Sequence, residues 1–166
     1  MANITLRGNE ASTVGNLPLV GGDAPDFELV GIDMEPVRLS DFDGKRVVLN
    51  IFPSVDTGVC ATSVRTFNER AGGLDNTAVV CVSQDLPMAL GRFCAAEGIQ
   101  NVVAASGFRS SFADDYGVRM TDGRLAGLCS RAVVVLDENH VVVLTEQVPE
   151  IGQEPDYDAA IAALEV

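Results

Sequence analysis

Cys60 closes the stretch Pro53-Ser54-Val55-Asp56-Thr57-Gly58-Val59-Cys60, which follows the apolar run Val47-Val48-Leu49-Asn50-Ile51-Phe52. A thiol in that position can do chemistry. The run is short, β-branched and nearly continuous in its apolarity, as in a strand buried on both faces of a parallel or mixed sheet. Pro53 ends the ladder because it has no N–H to donate. Cys60, Val64, Phe67 and Ala71 then recur at i, i+4, i+7 and i+11, one face of a helix that stops at Gly72-Gly73. With Thr57 as N-cap, Cys60 falls in the first turn, where unpaired N–H groups and the positive end of the helix dipole favour a thiolate over a thiol. The pattern also admits a plainer reading, a small hydrophobe packed on an apolar helix face.

The remaining reactive residue types narrow the chemistry. Cys60, Cys81, Cys94 and Cys129 lack the C-x-x-C spacing of a zinc site and the density of a secreted disulfide scaffold. His140, the only histidine, follows a hairpin turn far from the motif and reads as a solvated residue, which leaves a Cys-His hydrolase without its base. No metal-ligand cluster, phosphate loop or Ser-His-Asp set is legible. The net charge of −13, with Lys45 the only lysine among eleven basic residues, argues against nucleic acid or an anionic membrane as partner. Met1-Ala2-Asn3-Ile4 opens without a secretory n-region, and no apolar run reaches the roughly 18 residues a membrane span needs. A cytoplasmic protein is expected.

The elements that must position Cys60 follow from length and pattern. At 166 residues, 47% of them hydrophobic, the chain suits a single domain over 1–166, with residues 1–20 as a hairpin extension. Ile4 to Arg7 and Ala11 to Val14 form that hairpin, a flap that the chemistry could do without. Short strands are expected at Asp26 to Val30 and Val37 to Ser40, with buried strands at Thr77 to Val82 and Asn101 to Ala105. A helix starts near Leu86-Pro87 with Asp85 as cap and runs to Glu97, placing Cys94 on its apolar stripe with Leu86 and Leu90. A short helix at Phe108 to Tyr116, a hairpin of Ala132 to Leu136 with His140 to Thr145, and a helix from Pro155 to Leu164 complete the chain. Helices interleaved with buried strands and a late hairpin define an α/β class with a central mixed sheet, most simply a thioredoxin-like fold.

A thioredoxin-type reductase would carry a second cysteine three residues from the first, but positions 57 and 63 are threonine and serine. Pro53-x-x-x-Thr57-x-x-Cys60 resembles the active-site motif of the peroxiredoxins. With Leu49 to Phe52 before it, Arg92-Phe93-Cys94, Arg131-Ala132-Val133-Val134-Val135 and Glu154-Pro155-Asp156-Tyr157, the whole chain is similar to their thiol peroxidase subfamily. The resemblance implies that Cys60 attacks the O–O bond of hydrogen peroxide and organic hydroperoxides and becomes a sulfenic acid. It implies that Cys94 resolves this to an intramolecular disulfide, and that thioredoxin reduces the disulfide. Thr57 would hydrogen-bond thiolate and peroxide, Pro53 would shield the site from water, and Arg131 would supply positive charge. It further implies a homodimer that needs no metal or organic cofactor.

Physical chemistry says where such an enzyme's rate must come from. A thiol of ordinary pKa is about 3% ionised at neutral pH, so complete ionisation gains about 30-fold, or about 2 kcal/mol. Enzymes begin near a million-fold. Most of the barrier reduction therefore falls to donors that align the peroxide and meet charge as the O–O bond breaks, a role suited to Thr57, backbone N–H groups and Arg131.

Residue by residue, alternatives stay open. Arg131 opens a buried-looking strand and could be a surface or interface ion pair, Thr57 is at minimum a helix cap, and Cys94 read alone is a core residue. Cys81 reads as structural and Cys129 has no assigned role. Cys60 and Cys94 sit on different helices while a disulfide needs Cα atoms within about 7 Å, so the Cys94 helix is expected to unwind locally, aided by Pro87 and Gly91. Two other functions compete: a thioredoxin-like thiol–disulfide oxidoreductase, and a redox-switched sensor or holdase.

Overall fold

Apolar alternation on both faces of the strands makes a sheet that must be covered twice, and the chain does so with helices on one side and loops with a short helix on the other. A computed structural model of the chain describes residues 1–165. The N-terminal hairpin, β1 (Asn3–Leu6) and β2 (Asn9–Ser12), forms its own antiparallel sheet. Then come β3 (Glu28–Gly31), β4 (Pro36–Arg38), a 3-10 turn (Leu39–Phe42), β5 (Arg46–Ile51) and α1 (Gly58–Ala71). They are followed by β6 (Thr77–Ser83), α2 (Pro87–Glu97), β7 (Val103–Ser106), α3 (Phe112–Asp115), β8 (Ala132–Leu136), β9 (Val142–Gln147) and α4 (Tyr157–Ala163). The seven-stranded sheet runs β4-β3-β7-β6-β5-β8-β9. β5, β6 and β7 are parallel; the remaining pairs are antiparallel, so the sheet is mixed and thioredoxin-like, as the pattern predicted.

The period of two along β5 divides the core. Val47, Leu49 and Ile51 face one layer with Phe112, Tyr116 and Cys129, whereas Val48 and Phe52 face the other with Cys60, Val64, Phe67, Cys81, Leu90 and Cys94. The sheet therefore places Cys129 on the opposite side from the other three cysteines.

Several boundaries differ from expectation for local reasons. Asp85 does not cap α2: Leu86 holds the cap position, and the Asp85 side chain is bonded elsewhere. β7 starts at Val103 because Asn68 Oδ1 takes the amides of Gln100 and Asn101, which holds them as a loop. β9 starts at Val142 because Asp137 Oδ1 accepts from Asn139 N and Val141 N, and His140 takes a φ of 60° in that turn. His140 is not solvated, since its Nε2 lies 2.9 Å from the Phe42 carbonyl oxygen and its side chain is only 13% exposed.

The N-terminal hairpin is built into the molecule. Its two-residue turn, Arg7-Gly8, has positive φ at both positions (51° and 80°), the twist that suits a tight hairpin. Ile4 and Ala11 pack with Met120 and Ile151 in a small core of their own, and Thr5 bonds to Pro149 and Ile151 through backbone groups.

On the other layer α1 is anchored by Phe67, which is fully buried and meets Tyr157 of α4 edge-on at 5.2 Å between centroids. Phe67→Ala is expected to cost about 3–5 kcal/mol of unfolding free energy in a guanidinium melt. A loss below about 1 kcal/mol would contradict this packing.

Candidate active site

Strand register brings the site together. β5 and β8 pair antiparallel with Ile51 opposite Ala132, so Arg131, one residue before β8, must lie beside the Phe52-Pro53 end of β5. The Arg131 side chain is 1% exposed. Its Nη2 donates to Cys60 Sγ at 3.2 Å and its Nε to the Ile151 carbonyl at 2.8 Å. No carboxylate lies within ion-pair distance of it among the described residues. Its Nη1 is buried without a partner. The surface ion pair considered for Arg131 is thus excluded: this is a buried cation whose two side-chain partners are a sulfur and a carbonyl.

Cys60 is fully buried in the first turn of α1, as its spacing predicted. Thr57 holds the N-cap position with extended backbone (φ −107°, ψ 146°), and its carbonyl accepts from Ala61 N at 3.0 Å. Its hydroxyl caps nothing in the helix; it donates back to the Ser54 carbonyl at 3.0 Å. Thr57 and Pro53, with Arg131 behind them, line a cavity of about 690 Å³. Leu6 to Ala11 of the hairpin and the loop from Met120 to Leu125 form its other walls. The hairpin is therefore a wall of the cavity.

A second set of residues, not singled out by the sequence, holds the Cys60 loop. Asp85 Oδ1 accepts from Ser54 Oγ at 2.6 Å, and Oδ2 accepts from Val55 N at 2.9 Å and Ser83 Oγ at 2.7 Å. The signal was available. β5 and β6 are parallel neighbours with Ile51 opposite Val82, so Ser83-Gln84-Asp85 must end level with Phe52-Pro53-Ser54, and chemistry gathers at such carboxyl ends. Inside the layer, Asn50 Nδ2 donates to Ser63 Oγ at 3.3 Å and Ser63 Oγ donates to the Cys60 carbonyl at 2.8 Å, tying β5 to the reactive turn.

Cys94 shares this layer but not the contact. It is 7% exposed on α2, and all four cysteines are free thiols. α2 is linked to the Cys60 segment by Arg92–Asp56 at 3.0 Å and to α1 by Arg65–Glu97 at 2.8 Å. It ends at Gly98 in the left-handed conformation (φ 65°) that terminates helices. Burial raises the Cys94 thiol above its ordinary value. Burial likewise pushes Cys81 up to about 12, against the lowering effect of Asn50, and Cys129 up to about 12.

A thioredoxin-like sheet with one thiol at a helix start, a buried arginine on its sulfur and no second cysteine in the same turn defines a single-nucleophile thiol oxidoreductase. Comparison with known proteins refines this. A profile described as Redoxin matches residues 19–161. Thiol peroxidases from Mycobacterium tuberculosis and Corynebacterium glutamicum are 60% and 56% identical over 164 residues, 99% of each chain in both cases. The crystal structure of a peroxiredoxin-like protein from Aquifex aeolicus superimposes with a TM-score of 0.94 at 36% identity, covering 99% of this chain and 96% of that one. A thiol peroxidase structure from Chromobacterium violaceum, at 23% identity and a TM-score of 0.91, covers 99% of this chain and 96% of its own and shares the fold. The chain belongs to the Redoxin family, as a peroxiredoxin-type oxidoreductase of the thiol peroxidase group.

The buried thiols carry a pH signature. Cys81 and Cys129 keep their protons in the folded chain to about 12, whereas the ordinary thiol value is 9.0. Between those values the unfolded chain holds fewer protons than the native one, so stability present in full below pH 9 falls as pH rises toward 12. Each thiol contributes up to about 1.4 kcal/mol per pH unit. In Cys81→Ala/Cys129→Ala the decline of unfolding free energy above pH 9 is expected to be shallower than in the parent, and equal slopes would contradict the assignment.

Proposed function

We propose that the protein reduces hydrogen peroxide and organic hydroperoxides with Cys60 as the peroxidatic and Cys94 as the resolving thiol. The observation that carries this reading is the 3.2 Å contact to the buried Cys60 Sγ from Arg131, a buried cation without a carboxylate partner that also lines the cavity. Sulfur attacks the terminal oxygen of the hydroperoxide, the O–O bond breaks, and the leaving oxygen takes a proton to become an alcohol or water. Sulfur is oxidised by two electrons to the sulfenic acid.

Charge builds on both oxygens during this step. Arg131 supplies a fixed donor there, with Nη1 free to bond the peroxide. The Thr57 hydroxyl can turn from the Ser54 carbonyl toward the incoming oxygen, and Pro53 closes the water-facing side. Preorganisation by Asp85 supports the geometry, since two of its bonds fix the loop and a third, from Ser83, fixes Asp85 itself before substrate arrives.

Resolution needs motion. The Cys94 thiol attacks the Cys60 sulfenic sulfur and expels water, forming one disulfide. α2 favours local opening because Gly91 in its interior costs about 1 kcal/mol relative to alanine, and its Leu86 cap makes no side-chain bond. Cys129 lies in the other core layer, which supports Cys94 rather than Cys129 as partner. Thioredoxin, through its dithiol, then reduces the disulfide and is itself oxidised. A homodimer in the cytoplasm, with no metal or organic cofactor, completes the reading. No described helix is long and apolar enough to cross a membrane. The rival thiol–disulfide oxidoreductase lacks a C-x-x-C, and a sensor or holdase would stop after one stoichiometric oxidation.

The test is peptide mass spectrometry after one equivalent of cumene hydroperoxide, with free thiols alkylated before digestion. A Cys60–Cys94 peptide with Cys81 and Cys129 alkylated is expected, together with repeated turnover on thioredoxin. Cys94→Ser is expected to consume one equivalent and stall as sulfenic acid. A bridge to Cys129, or normal cycling of Cys94→Ser, would overturn the assignment of the resolving thiol, and a Cys60 left reduced would overturn the reading itself.

A further inference from the structure

In a chain of net charge −13, the cations without carboxylate partners are unevenly placed. Arg38, Arg46, Arg65, Arg70, Arg92 and Arg119 each pair with a carboxylate among the described residues. Arg7, Lys45, Arg109, Arg124 and Arg131 do not, and three of these five, Arg7, Arg124 and Arg131, line the cavity that Pro53 and Thr57 also line. Of these, Arg131 is buried. Arg7 and Arg124 are exposed, one on the hairpin and the other on the 120–125 loop that packs beside it.

The position of Arg7 is costly. It occupies a turn site with φ of 51°, where glycine or asparagine is the relaxed choice. The turn is nevertheless fixed, because the Glu150 carboxylate accepts from Arg7 N at 2.8 Å, Gly8 N at 3.3 Å and Thr5 Oγ1 at 2.6 Å. Two carboxylates share the lining, Glu10 and Asp122. Asp122 is engaged by Ser12 N at 2.7 Å, and neither reaches ion-pair distance of an arginine. Between the arginines the lining is apolar, with Leu6, Met120, Leu125 and Ile151. The volume, about 690 Å³, far exceeds what hydrogen peroxide requires and lies in the range of sites for small organic molecules.

We propose that Arg7 and Arg124 select hydroperoxides whose organic body carries a carboxylate, holding the anionic end at the cavity mouth while the peroxide reaches Cys60. This rests on the peroxidase reading and names the substrate class for that same site. In the step, sulfur takes the terminal oxygen, the O–O bond breaks, and the carboxylate-bearing alkoxide takes a proton and leaves as a hydroxy acid.

The test compares two probes that differ in charge and by one methyl group, 4-(2-hydroperoxypropan-2-yl)benzoic acid and its methyl ester. The second-order rate of Cys60 oxidation is read in reduced protein by quenched flow with thiol alkylation. Exposed charge contacts of this kind support a ratio of acid to ester of about fivefold to tenfold. The ratio is expected to fall near one in Arg7→Gln/Arg124→Gln, and to shrink in the parent between about 20 mM and about 500 mM NaCl. A ratio near one in the parent, or one that survives in the double variant, would overturn the selection while leaving the peroxidase reading intact. If neither probe oxidises Cys60, the peroxidase reading fails and this inference falls with it.

Discussion

The contact around which the site is arranged is the one between the Arg131 guanidinium and the Cys60 sulfur. A cation taken out of water without a carboxylate partner costs several kcal/mol even after relaxation. Here one carbonyl and one sulfur compensate only part of that cost, and Nη1 is left without a partner. Such an arrangement persists only when the surrounding structure over-determines it. The surroundings do so from both sides of the residue. The Arg131 carbonyl accepts from Val148 N and Gln147 Nε2, each at 3.0 Å, so the backbone cannot turn the side chain outward without breaking the edge of the sheet.

The rest of the fold can be understood as holding the other half of that contact. β5 delivers the loop, Asp85 from the neighbouring strand end pins Ser54 and Val55, and Asn50 with Ser63 fixes the first turn of α1 from within. Ile151 has two tasks: its carbonyl receives Arg131 Nε and its amide bonds Thr5, so the same residue positions the cation and docks the hairpin. The cation and the hairpin wall of the cavity are thus held by one residue. Whatever supports Arg131 also supports a wall of the site.

Much of this was legible in the residues. The β-branched run before Pro53, the helical spacing from Cys60 to Ala71 and the glycines at its end specify strand, loop and helix through strong, local signals. The positive-charge role of Arg131 entered through resemblance, since pattern alone left it as readily an ion pair. What puts Arg131 beside Cys60 is the register of β8 on β5, a long-range pairing that no local period encodes. Asp85 has the local signature of a helix cap because Asp-Leu-Pro is a cap-like string, and its bonds across 31 residues to Ser54 and 30 to Val55 are invisible to local patterns. The hairpin was seen as a hairpin, but its packing on Met120 and Ile151 joins segments more than a hundred residues apart. His140 has the local setting of a solvated turn residue; its bond to Phe42, 98 residues away, again depends on tertiary structure.

The central claim is that the buried guanidinium serves the chemistry of Cys60 and costs the fold more than it returns. Arg131→Met tests it most directly, by a thermal melt and by the second-order rate of Cys60 oxidation by hydrogen peroxide in the same samples. The account expects the rate to fall by about 100-fold or more, as when a preorganised donor to the reacting atoms is lost. It expects the melting temperature to stay level or rise, since an apolar side chain of similar length replaces an uncompensated buried charge. A variant that reacts within about threefold of the parent while melting many degrees lower would mean that Arg131 holds the fold together and does not serve the thiol.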